Sequence, residues 1–283
     1  TAVLPPFSIN KRIINEIEQK SIQLAKALNV KGLLNIQFAV KEETLYILEA
    51  NPRASRTMPF VAKVTGNQII KAGTLLMLGH SLDFVKKETD YLDGSTKKIA
   101  IKKAIFPWSR FPAEDTMLGP EMKATGEVLG IGSNFGTALN KAYAAAGVLI
   151  NKKQKGVFIS LSDKEKPNFV EIAKNYSELG FKIFATEGTG AFLGKHNISS
   201  TIVGRANDKS PTSLTIIQEN LVSLVINTPT FENEYTDGWK IRRLSHETGV
   251  AVVSSVREAQ AFMKAFSEQE NTLDDMEAIQ NVS

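Results

Sequence analysis

The sequence predicts an α+β portion over residues 1–150, followed by an α/β doubly wound parallel-sheet domain over residues 151–283. Three observations carry that reading. Strand-like and helix-like segments alternate regularly after residue 156, the rhythm of parallel strands joined by right-handed crossovers. Before residue 150 a helix, a hairpin and then paired helices follow one another. Between the two, Asn151-Lys-Lys-Gln-Lys155 is polar with no apolar partner, so the boundary is placed there.

Pro5 and Pro6 keep the first residues extended. Ser8 or Asn10 can then cap a helix reaching about Asn29, with Ile13, Ile17, Leu24 and Leu28 at helical spacing. Leu33–Val40 and Thr44–Ala50 read as hairpin strands. Thr57–Gly66 and Gln68–Gly79 read as helices stopped by glycine. Ile99–Phe106 is a strand ended by Pro107-Trp108, with Trp108 a packing residue, and Asn134–Gly147 is an alanine-rich helix. In the second portion, strands are expected at Val157–Leu161, Lys182–Ala185, Thr201–Val203, Ser223–Ile226 and Val250–Ser254. Helices are expected at Asn168–Glu178, from the Gly-Thr-Gly turn through His196, at Ser213–Asn220 and at Val256–Phe266, before a frayed acidic tail from about Ser267.

Composition removes several function classes. With 42% apolar and 23% charged residues the chain is globular rather than disordered. It holds no cysteine, which excludes disulfides, thiolate metal sites and cysteine nucleophiles and fits a cytoplasmic protein. No apolar run approaches the roughly 20 residues of a membrane span. The N-terminus lacks the basic and apolar regions of a signal peptide, and its opening in mid-segment is read as that of a fragment. The net charge of +4 suits small anions, and no Lys/Arg cluster interleaves with aromatics, so nucleic acid is not expected. His80, His196 and His246 are too scattered for a metal set.

Side chains alternate along a strand, so Asn35 and Gln37 share one face, as do Glu49 and Asn51. Placing Gln37 opposite Glu49 demands an odd loop such as Glu42-Glu43-Thr44, because a two-residue loop would set Gln37 against Leu48. Gln37, Glu49 and Asn51 then offer hard oxygens suited to Mg²⁺ on nucleotide phosphates. Arg53 and Arg56 follow with planar forks for phosphate or carboxylate. A plain polar hairpin face with surface arginines would read the same way.

A second cluster gathers at strand ends. Thr186-Glu-Gly-Thr-Gly190 joins a strand to a helix and brings backbone N–H groups toward an anion. Lys164, Lys166, Arg205, Asn227 and Thr228 follow other strands, where doubly wound folds bind ligands. A purely structural turn remains the alternative. Arg242 and Arg243 suit either this site or the surface.

Gly32-Leu-Leu-Asn-Ile-Gln-Phe-Ala-Val40 with Leu48-Glu-Ala-Asn-Pro-Arg-Ala-Ser-Arg-Thr57 resembles the metal and phosphate segment of ATP-grasp enzymes, in wording similar to the carbamoyl phosphate synthetase family. Pro59–Gly66 and Leu118–Gly130 continue the likeness over nearly the whole chain. The resemblance implies the end of the second, carbamate-phosphorylating ATP-grasp unit followed by a methylglyoxal synthase-like domain. It implies ATP and Mg²⁺ or Mn²⁺ held by Gln37, Glu49 and Asn51, with Arg53 and Arg56 on the transferred phosphate or the carbamate. Lys166, Thr186, Thr189, Arg205 and Asn227 would hold the phosphate of a nucleotide effector such as UMP or IMP, with arginine at 205 where relatives can have lysine. The catalytic residues of methylglyoxal synthase find no equivalent after Asn227-Thr-Pro-Thr-Phe-Glu-Asn233, which implies binding rather than a second activity. Lys103 stands where ornithine-activated relatives carry an acid, so ornithine activation is not expected; Lys103 as a plain surface lysine is the alternative. A glutaminase small subunit delivering ammonia and an oligomeric enzyme of pyrimidine and arginine synthesis complete the implication. The rest of the ATP cleft would precede Thr1, so this polypeptide alone is expected to be inactive. An effector-binding module only, or another ATP-grasp ligase fused to a similar domain, are the alternatives.

Overall fold

The structure is a computed structural model that describes residues 1–89, 96, 98–106, 108, 111, 115–117, 122, 124, 126–148, 156–209, 211–229 and 236–268. The described residues fall into two compact units: one within Val3–Ala100, the other within Ile101–Asp274 together with Thr1–Ala2. The boundary expected near residue 150 and the tail expected to fray fall on residues outside those described, the tail from residue 269.

A short strand, β1 (Ala2–Leu4), opens the chain. In the first unit α1 (Lys11–Ala27) begins at Asn10, whose Oδ1 accepts from Ile13 N at 3.0 Å and so satisfies one of the helix's open N–H groups. Ile13 is 1% exposed and anchors the helix. The hairpin β2 (Asn35–Lys41) and β3 (Thr44–Asn51) follows. Then come α2 (Thr57–Thr65), closed by Gly66 at φ 70°, α3 (Ile69–Met77) and α4 (Leu82–Glu88). The last was not foreseen.

The second unit contains β4 (Ile99–Ala104) from Ile101 on, β5 (Glu127–Gly132) and α5 (Phe135–Ala145), and β1, β4 and β5 form a three-stranded sheet in the order β1-β4-β5. Asn134 Oδ1 caps α5 by accepting from Thr137 N at 2.8 Å. The chain then alternates: β6 (Gly156–Ser160), a 3₁₀ turn at Pro167–Phe169, α6 (Val170–Glu178), β7 (Lys182–Thr186), α7 (Glu187–Lys195), β8 (Thr201–Val203), α8 (Ser213–Gln218), β9 (Leu224–Asn227), α9 (Asp237–Thr248), β10 (Ala251–Val253) and α10 (Val256–Ser267). Strands β6 to β10 build a parallel sheet in the order β10-β9-β6-β7-β8, the doubly wound pattern expected. Val157, Phe158 and Ile159 are all fully buried, as a sheet covered on both faces requires. Phe158 packs with Phe184, Val225, Ile216 and Ile241 in one cluster. Tyr176, Phe181 and Phe266 stack edge to face on one another, and Tyr176 Oη donates to Ala259 O at 2.8 Å. The winding reverses between β6 and β9, and the crevice beyond the ends of those strands is where such folds place ligands.

Candidate functional site

In the hairpin Gln37 pairs with Glu49 and Asn35 with Asn51, so these side chains project to one side. The expected pairing stands, but the loop that was to produce it is corrected. Glu42 and Glu43, at φ 49° and 61°, form a two-residue turn, and Lys41 pairs with Thr44. Phe38 opposes Ile47, and the register then shifts, leaving Leu48 as the extra residue of a bulge. The bulge supplies the residue that a longer loop would have supplied, and it re-aims the strand end. Asn51 Nδ2 donates to Glu49 Oε1 at 2.9 Å, which holds the two side chains together. That leaves Glu49 Oε2, Asn51 Oδ1 and Gln37 Oε1 as hard oxygens on this face. Gln37 and Glu49 are exposed and Asn51 partly so.

Carboxylate and carboxamide oxygens of this kind match the hard-donor chemistry that a divalent cation such as Mg²⁺ takes, so the residues present fit such an ion. Among the described residues no three His, Cys, Asp or Glu side chains cluster, so a cation held at this face would need the carboxamides of Gln37 and Asn51 beside the Glu49 carboxylate. Arg53 N donates to Asn51 O at 2.8 Å and turns the chain out of β3. Arg53 Nη1 meets Ala54 O at 2.9 Å, and Arg56 occupies the N-cap position of α2. Both arginines are exposed within five residues of Asn51.

The second cluster lies at the carboxyl ends of β6 to β9. Ser160 pairs with Asn227, Ile159 with Ala185 and Thr186 with Val203, so four strands end at one level about 4.8 Å apart. Thr189 is 1% exposed and accepts twice, from Leu161 N and from Thr186 Oγ1, both at 3.1 Å. Its own hydroxyl hydrogen is then the only group it has left to donate. Thr228 Oγ1 accepts from Ser162 N at 2.8 Å and ties the loops after β6 and β9 across the reversal point. A Cβ added at Gly188 would stand 3.6 Å from Lys166 Nζ, so that amine rests over the first turn of α7, where backbone N–H groups are open. Asp163 pairs with Lys166, which holds the Asp163 carboxyl below the usual carboxylate range. Arg205 is exposed two residues past β8.

Asn227 is buried, and its Oδ1 accepts from Arg242 Nη1 at 2.6 Å. Arg242 and Arg243, for which a surface position was one reading, are both buried on α9. Arg242 forks onto Asp115, Nε to Oδ1 at 3.0 Å. Arg243 donates to the carbonyls of Trp108 and Phe111, both at 3.0 Å, and to Glu247. Asp115 was missed because it lies 127 residues from its partner and carries no local motif. Lys103 is not a plain surface lysine. It lies 4.3 Å from the centre of the Tyr143 ring, and burial lowers its pKa while Glu258 opposes that shift.

Residues 2–85 match the family described as "Carbamoyl-phosphate synthase L chain, ATP binding domain", and residues 168–254 match the "MGS-like domain". The chain is similar to the carbamoyl phosphate synthase large chain, C-terminal section, of Aquifex aeolicus, 39% identical over 93% of this chain and 51% of that protein. It is 43% identical to the large chain of Archaeoglobus fulgidus over 93% of this chain and 24% of that one. Against the Methanosarcina barkeri large chain it is 38% identical, covering 91% of this chain and 64% of the relative. The chain thus spans about half of the Aquifex relative and about a quarter of the Archaeoglobus one.

Proposed function

Because this chain is homologous over more than nine tenths of its length to the C-terminal section of carbamoyl phosphate synthase large chains, we propose that it supplies part of an ATP-dependent carbamate-phosphorylating site and a separate effector-binding domain. The observation that carries the first part is Gln37 opposite Glu49, with Asn51 bonded to Glu49.

Those three residues would hold a divalent cation, Mg²⁺ or Mn²⁺, which when bound neutralises and aligns the phosphates of ATP. Arg53 and Arg56 would meet the transferred phosphoryl group or the carbamate. A carbamate oxygen attacks the γ-phosphorus, the bond to the β-phosphate oxygen breaks, and carbamoyl phosphate and ADP result. Positioning and charge neutralisation carry most of such a reaction, so fixed forks and a fixed oxygen face are what this chain contributes. The strand-end cluster of Lys166, Thr186, Thr189, Arg205 and Asn227 would take the phosphate of a nucleotide effector. On the same premise, a glutaminase partner would release ammonia from glutamine, and the enzyme would be an oligomer of the cytoplasm serving pyrimidine and arginine synthesis. Among the described residues no helix is long and apolar enough to cross a membrane.

The test is Mn²⁺ binding followed by electron spin resonance in the presence of ATP, on the whole chain. Glu49→Gln removes the sole carboxylate of the set and should weaken Mn²⁺ binding about tenfold or more. Wild-type affinity in that variant would refute the metal assignment.

A further inference from the structure

We propose that Arg242 and Asp115 form a relay that positions Asn227 in the strand-end anion pocket and carries the pocket's occupancy to Asp115, beside Trp108 and Phe111, which Arg243 holds. This rests on the effector-site reading given above.

A guanidinium only donates, so the Asn227 amide must turn its oxygen to Arg242. The 2.6 Å bond to Nη1 therefore fixes the amide's orientation and leaves the two Nδ2 hydrogens as all that Asn227 can offer an anion. A buried arginine that touched only a neutral amide would carry an uncompensated charge. Asp115 supplies the compensation with a two-point grip, one point at 3.0 Å, from a side chain 35% exposed against 5% for the arginine. A Cβ on Gly238 would come within 3.0 Å of Arg242 Nη1 and 3.2 Å of Asn227 Oδ1, so the first turn of α9 closes over this contact. Arg243, next in sequence, holds the carbonyls of Trp108 and Phe111. Two adjacent arginines thus fasten Trp108, Phe111 and Asp115 to the helix that orients Asn227. An anion drawing on the Asn227 amide pulls on Arg242, and through it on Asp115.

The experiment uses the whole chain with Trp239→Phe, which leaves Trp108 as the sole tryptophan of the two in the sequence. UMP and inorganic phosphate are titrated while Trp108 emission is followed, and affinity is measured independently by calorimetry. Binding should change Trp108 emission. Asp115→Asn should bind UMP about tenfold more weakly and show no emission change at saturation, and Asp115→Glu should restore both. Unchanged affinity in Asp115→Asn overturns the relay. So does tighter binding, which would mean that a released Arg242 grips the phosphate itself. Should Asp115→Asn fail to fold by thermal melting, Arg242→Lys, which keeps the charge but loses the fork, must show the same two losses. A parent protein that binds neither probe removes the pocket reading as a whole, whereas binding indifferent to Asp115 removes only the relay.

Discussion

His246 sits on α9 with the Trp108 ring centre 6.2 Å from its own. Burial first, then the positive charges of Lys103 and Arg243, push its pKa from 6.5 down to about 4. The folded protein therefore keeps this ring neutral at pH values where the unfolded chain takes up a proton. Stability from this residue is complete above pH 6.5 and is lost as pH falls toward 4, by about 3 kcal/mol over the whole interval. In urea unfolding, His246→Gln should lose about 2 kcal/mol less than the parent between pH 7 and pH 5. Equal losses in the two proteins would show that His246 is solvated. His80 stacks on Phe84, and His196 bonds Phe192 O while exposed. What the sequence could not disclose was His246's neighbour Lys103, 143 positions earlier, because charge crowding across a fold has no spacing to read.

Among the elements, those that alternate cleanly were legible and those built around an exception were not. The five parallel strands announced themselves because each is a short apolar run between turns. Strand β5 did not, because Gly130 and Gly132 interrupt Glu127-Val-Leu-Gly-Ile-Gly132. The structure gives the reason for the first of them. A Cβ on Gly130 would stand 2.1 Å from Ala138 O and 2.4 Å from Ala142 N, both backbone atoms of α5. Gly130→Ala must push strand and helix apart, at about 1–3 kcal/mol. Gly194→Ala on α7 meets nothing within 4 Å and should be neutral or stabilising by up to about 1 kcal/mol. Urea midpoints of the two variants check this, and a harmless Gly130→Ala would contradict the close approach. Helix α9 escaped notice for a related reason: its buried stripe holds Arg242, Arg243 and Ser245 beside Ile241, so an apolar period is absent where the packing period is present. The hairpin shows the converse. The shared face of Gln37 and Glu49 was legible from strand alternation, yet the turn and the bulge that pair them were not, since a bulge residue such as Leu48 looks like any other strand residue.

At the scale of the molecule the two units differ in how much they bury. In the second, the three central residues of β6 and Leu224, Val225 and Ile226 of β9 are fully covered, Ile183, Phe184 and Ala185 of β7 are buried, and aromatic rings pack beside α10. In the first, Ile13, Phe60, Val64, Ala72 and Val85 are buried, while Phe7, Ile22, Leu28, Tyr46, Leu48, Met77, Leu78 and Leu82 are exposed. Apolar burial is the main favourable contribution to folding, so a unit that buries little of it opens at lower denaturant. Cooperative unfolding of the whole chain as one step is therefore not expected. Trp108 and Trp239, the two tryptophans, both belong to the second unit, which makes their emission a reporter of that unit alone. Far-ultraviolet ellipticity sums both units, since α1, α2 and α3 lie in the first. In a urea titration the ellipticity should begin to fall before the tryptophan emission shifts, and Mg·ATP, if it engages the hairpin face, should delay only the earlier change. Coincident curves for the two signals would mean that the exposed apolar residues of the first unit do not weaken it, and that its stability draws on something other than the core seen between α1 and α4.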